Sequence, residues 1–131
     1  MIVIHISERT SLSQIDNTFW DTREALAHYG VAPGQIHQYV GLDDTAWAVG
    51  DWDWNKRSVS IEHVGTTDNP PSYATLGPRA QLMADLARSK GWRRLTLGDN
   101  VGIHKLYSST SCSAGADVNW LLARATVYLG N

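Results

Sequence analysis

The chain opens with MIVIHIS, a run dense in β-branched residues whose alternation predicts a short buried strand, with Ile2, Ile4 and Ile6 on one face and Val3 and His5 on the other. The period then lengthens. SLSQIDNTFWDTREALAHYG begins with cap-type serines and spaces Ile15, Phe19, Ala25 and Leu26 at helical intervals, which predicts an amphipathic helix ending near His28. HYGVAPGQIHQYVG predicts two strands joined by a Pro-Gly turn. DDTAWAVGDWDWNK is a Trp-rich loop containing a short apolar piece. RSVSIEHVG alternates as a strand, Ser58, Ser60 and Glu62 sharing one face and Val59, Ile61 and His63 the other. TTDNPPS breaks the chain ahead of a long helix, YATLGPRAQLMADLARSKG, which a glycine stops. RRLTLGDNVGIHK supplies a short strand and a loop, and DVNWLLARATVYL a final helix. Strands interleaved with helices predict an α/β fold, a single domain over residues 1–131 with a central mixed, mostly buried β-sheet flanked by helices.

Size and charge narrow the function classes. At 131 residues the chain can build one core and not two. A formal charge of −2 with no dense Lys/Arg stripe leaves no electrostatic footprint for nucleic acid or for an anionic membrane surface. The N-terminus has no basic region followed by a long apolar run, and no apolar stretch reaches the roughly 18 residues of a spanning helix. The expectation is a soluble monomer, made in the cytoplasm without a signal peptide. A single cysteine excludes an internal disulfide framework, so Cys112 is a core residue, a metal ligand or a nucleophile.

Candidate chemistry gathers around that cysteine. GIHKLYSSTSC places His104 eight positions before Cys112 across small hydroxyl residues, a separation that neither a helix nor a strand aligns, so the two converge only if the chain loops back. His5 lies near the C-terminal end of the first strand, where a sheet opens into a cleft. Two imidazoles and a thiolate suit Zn²⁺ and leave a fourth tetrahedral position for water, as in a catalytic site; the metal would then close the loop. His28, His37 and His63 compete for the strand position. His37 is most simply a surface residue of a polar strand, and His63 points away from Glu62 in a regular strand. His28 remains a rival to His5.

The order of the pieces is more specific than any one of them. IVIH in the first strand, AHYGV and GQIHQYV in the hairpin, DDTAW, an Asn followed by SVSIE, and a late His with TSC before a Trp-containing helix together resemble the zinc-dependent N-acetylmuramoyl-L-alanine amidases. That family includes phage endolysin catalytic domains and is related to animal peptidoglycan recognition proteins. The resemblance covers nearly the whole chain. It implies Zn²⁺ held by His5, His104 and Cys112, and it makes His28 a neighbour of the site. Some relatives take their acid/base group from a tyrosine ahead of the HY pair, where this chain has Ala27; others use a glutamate that matches Glu62. Thr110, two residues before Cys112, stands where a hydroxyl could donate to the oxyanion.

The implied reaction is hydrolysis of the amide between N-acetylmuramic acid and L-alanine in bacterial peptidoglycan, a bacteriolytic activity that suits a phage or prophage endolysin acting on the wall after release. Trp47, Trp52 and Trp54 offer flat faces to sugar or peptide, and Asn55 a hydrogen bond. Two departures stand out. Ala48 occupies a position where many relatives carry histidine, and Ser113 and Ala114 loosen the turn after Cys112. Asp117 is a fallback oxygen ligand. Two rival functions use the same residues: a non-catalytic peptidoglycan-binding module, and a cysteine hydrolase pairing Cys112 with His104, which would leave His5 without a role.

Overall fold

The computed structural model describes residues 1–7, 9–22, 27–42, 58–66, 72–103 and 117–130. In chain order these form β1 (Ile2–Ile6), α1 (Leu12–Thr22), β2 (Tyr29–Ala32), β3 (Gln35–Gln38), β4 (Val59–His63), α2 (Tyr73–Ser89), β5 (Val101–Ile103) and α3 (Val118–Leu129). The five strands make one mixed sheet in the order β3-β2-β4-β1-β5. β1 runs parallel to both β4 and β5, β2 runs parallel to β4, and only the β2–β3 hairpin is antiparallel. The expected α/β domain with a central mixed sheet is the one observed.

Strand alternation divides the sheet into two unlike faces. Ile2, Ile4, Tyr29, Val31, Val59, Ile61, Val101 and Ile103 meet Leu76, Ala80, Met83 and Leu86 of α2 and Leu121 and Ala125 of α3 in the main core. α1 covers the other face above β2, where Leu12 and Ile15 pack with Ala32, Val64 and Tyr39. There Gly30 is required for close approach: a Cβ at this position would lie 2.7 Å from the Tyr39 hydroxyl and 3.1 Å from Leu12 Cδ2. The Pro33-Gly34 turn forms as expected, with Gly34 at φ 67°.

Local bonds fix two boundaries that the sequence left broad. The first helix ends before Ala27, because His28 is taken by the sheet: its N–H donates to Ser60 O at 2.9 Å, and its carbonyl accepts from Tyr39 N at 2.8 Å. The short strand expected within RRLTLGDNVGIHK is VGI, because Asn100 folds residues 94–100 into a turn. Its side chain accepts from Thr96 N and donates to Arg94 O, each at 2.8 Å. Asp117 caps α3, accepting from Trp120 N at 2.9 Å, and Tyr73 donates to its other oxygen at 3.3 Å. Its carboxylate therefore has a structural task that the sequence reading did not assign. No helix among the described residues is long and apolar enough to cross a membrane.

Candidate active site

Sheet register places the candidate chemistry in a row. His5 of β1 is opposite Glu62 of β4, Glu62 is opposite Gly30 of β2, and Gly30 is opposite His37 of β3. Directly opposed residues share a face, so His5 and Glu62 are neighbours on the side away from α2, near the C-terminal ends of parallel strands. In open α/β sheets this end is where ligands bind. His63, one residue on, falls on the α2 face and is fully buried, as the alternation predicted.

Each member of the row has a distinct environment. His5 is 1% exposed. Glu62 keeps partial exposure, and burial raises its carboxyl from 4.5 to about 7 against the opposite pull of Arg9 and Arg79. That value lets it exchange a proton at neutral pH. Beside it, the Tyr39 ring lies over Gly30 and its hydroxyl donates to Asp16 Oδ1 at 2.5 Å. Burial, and then the Asp16 and Glu62 carboxylates, push the Tyr39 phenol far above its ordinary range. Asp16 also meets His37 Nδ1 at 3.0 Å. Burial works to raise Asp16, but the bonds from Tyr39 and His37 prevail and hold it below the usual carboxylate value. His37, expected at the surface, is a half-exposed partner of that aspartate.

His28 is buried against the same strand as Glu62. Its Nδ1 accepts from Ser60 N at 3.1 Å, so one ring nitrogen extends the β2–β4 ladder. Arg79, which the sequence reading did not single out, is fully buried in α2 and donates to His5 O at 3.3 Å and to Ile61 O at 2.6 Å. A signal for it existed in the sequence: it shares the inward stripe of Leu76, Ala80, Met83 and Leu86. The Asp16–Tyr39 contact joins two distant segments and left no such mark.

His104, Thr110 and Cys112, with Trp47, Trp52, Trp54 and Asn55, lie outside the described residues. Among the described residues no group of three His, Cys, Asp or Glu side chains could hold a metal. Of the expected ligands, His5 is the one described. The β1–β5 register runs to Ile4 and Ile103, and His104 is the next residue in the sequence.

Comparison with known proteins decides the family. The family model for N-acetylmuramoyl-L-alanine amidase matches residues 1–115. The chain belongs to this amidase family. No curated protein matches the amidase in sequence, but solved structures share its fold. PlyL superposes with a TM-score of 0.81 at 18% identity, over 97% of this chain and 83% of PlyL. The N-acetylmuramoyl-L-alanine amidase LysC from Clostridium intestinale URNW gives 0.77 at 14% identity, over 95% and 83%. The Ph2119 endolysin from a Thermus scotoductus MAT2119 bacteriophage gives 0.74 at 16%, over 95% and 82%. The chain is accordingly an amidase of peptidoglycan, in a family generally dependent on zinc.

Proposed function

We propose that the amidase hydrolyses the bond between the lactyl carbonyl of N-acetylmuramic acid and the nitrogen of L-alanine at a zinc centre held by His5, His104 and Cys112, with Glu62 as general acid and base. The observation that carries this reading is the pairing of buried His5 with Glu62 on one sheet face, at the C-terminal ends of adjacent parallel strands. The donor set fits zinc: two imidazoles and a thiolate, one imidazole sheltered at a strand end, with a carboxylate beside it. Bound there, zinc would supply Lewis acidity and a water acidic enough to ionise near neutral pH.

The chain's own residues do the rest. Glu62 takes the proton of the attacking water and returns it to the L-alanine nitrogen as the C–N bond breaks. The group must be charged for the first transfer and neutral for the second; burial, which raises its carboxyl, favours the neutral form, and a neighbouring zinc would favour the charged one. The Thr110 hydroxyl donates to the oxygen that gains charge. His28, Trp47, Trp52, Trp54 and Asn55 contact the muramyl peptide, the tryptophans through their flat faces.

The whole of residues 1–131 acts as one catalytic domain and as a monomer, without nucleic-acid or membrane partners. It acts on the wall after release, in the manner of an endolysin. The test is chemical: digestion of purified cell wall should release new L-alanine amino termini and no new reducing sugar ends, and a strong chelator should stop it. New reducing ends would identify a glycosidase and refute the assignment. Lysis by a zinc-free protein would favour a Cys112 nucleophile.

A further inference from the structure

Arg79 presents a question that packing alone does not answer. A fully buried guanidinium is rare, and the neighbouring positions of its helix stripe, Leu76, Ala80 and Met83, are filled with apolar side chains. Burying an ion is costly enough that an apolar residue of similar volume commonly serves stability as well or better. What Arg79 does that such a residue could not is join two strands. Nη1 donates to the carbonyl of His5 in β1, and Nη2 to the carbonyl of Ile61, the residue before Glu62 in β4. His5 and Glu62 are register partners. One rigid, planar fork therefore bridges β1 and β4 from the α2 side, at the rung whose side chains meet on the opposite face. Its charge also acts across the sheet, as one of the two cations favouring ionised Glu62.

We propose that Arg79 is a positioning residue for the hydrolysis, setting from beneath the sheet the main-chain spacing between His5 and Glu62. It touches neither substrate nor metal and acts through the two residues whose backbone it holds. The assignment rests on the reading of His5 as a ligand and Glu62 as the acid/base group. Misplacing reacting groups by about an ångström costs on the order of 100-fold in rate, and loss of groups that orient ligands costs about 10–100-fold in metal affinity or activity.

Two variants of the zinc-loaded enzyme test it. Arg79→Met keeps the volume and removes the fork; Arg79→Lys keeps the charge but offers a single ammonium centre in place of two spaced donors. For each, kcat and KM are measured on a muramyl peptide, zinc affinity by chelator competition, and Tm by circular dichroism. Both should fall about 10–100-fold in kcat with KM within about 2-fold, and bind zinc about 10-fold more weakly. The Met variant should keep or exceed the wild-type Tm. Should Arg79→Met not fold, Arg79→Lys decides alone. Wild-type kcat and zinc affinity in either folded variant would overturn the proposal, as would losses in kcat that merely track a falling Tm. A His5→Ala control separates the two levels. If it keeps zinc, the ligand reading itself fails; if it loses zinc while the Arg79 variants behave as wild type, only the role of Arg79 is overturned.

Discussion

Replacing Glu62 by Gln should impair the enzyme and stabilise the protein together, in a pH-dependent way. The side chain keeps its shape but can no longer take a proton from water, so turnover should fall by about 100-fold or more while zinc content and cell-wall binding persist. Stability moves the other way. Burial lifts the carboxyl from 4.5 to about 7, so between those values the folded chain holds a proton that the unfolded chain has released. Stability of the wild type therefore declines as pH rises through that window and is level above it. At about 1.4 kcal/mol per decade, the charged carboxylate costs the metal-free protein on the order of 3 kcal/mol at pH 8. Glutamine does not incur that cost. Relative to its position at pH 4, metal-free Glu62→Gln should gain roughly 10 °C in Tm over wild type at pH 8 for a chain of this length. Zinc beside the carboxylate favours its charged form, which puts the acid limb of kcat in the loaded enzyme at or below pH 7. Thermal melts at pH 4 and pH 8, with turnover on a muramyl peptide, provide the check. Full turnover in Glu62→Gln would move the acid/base role elsewhere, and a Tm difference identical at the two pH values would show that burial does not hold Glu62 as described.

Cys112→Ser should lower zinc occupancy from about one ion per chain to a small fraction while circular dichroism remains that of the folded protein. His28→Ala should leave zinc in place, because its Nδ1 accepts from Ser60 N; metal analysis showing loss would make His28 the first-strand ligand's replacement. Gly30→Ala should destabilise by about 1–3 kcal/mol in urea denaturation, since its Cβ would meet the Tyr39 hydroxyl at 2.7 Å and Leu12 Cδ2 at 3.1 Å. An unchanged midpoint would show that Tyr39 is not seated over β2. Removing residues 101–131 should abolish cooperative thermal unfolding, because β1 loses its β5 partner and α2 loses α3.

What the sequence disclosed follows from the range of the interactions involved. β1, the Pro33-Gly34 hairpin and β4 are written in alternation and turn chemistry, which are local, and their face assignments place His5 and Glu62 on one side once the strands are paired in this register. The pairing itself was not legible. β4 inserts between β1 and β2, and no periodicity in IVIHI or VSIEH specifies that Ile2 meets Val59 and not its neighbour. The exact end of the first helix, expected near His28, was not legible for the same reason, since the bonds between His28 and Ser60 come from a remote segment. Glu62 could be named from the family resemblance, but its proton affinity depends on burial and on Arg9 and Arg79, which only the fold brings near. Arg79 lay within a helix that was predicted correctly. Its meaning depended on which carbonyls lay above it.

The strand order also has a consequence for synthesis. Of the described strands β1 leaves the ribosome first, yet it ends between β4 and β5, the last two of them to be made. The register partner of Ile2 in β4, Val59, lies 57 residues further along the chain, and its partner in β5, Val101, lies 99 further; such long-range parallel pairings are slow to form because loop closure precedes their reward. The α1 and hairpin segments can organise earlier from local contacts, but the His5–Glu62 rung cannot exist before β4 has docked. A nascent chain would therefore carry His5 without Glu62 beside it until β4 had docked, and β1 would gain its second neighbour only with β5.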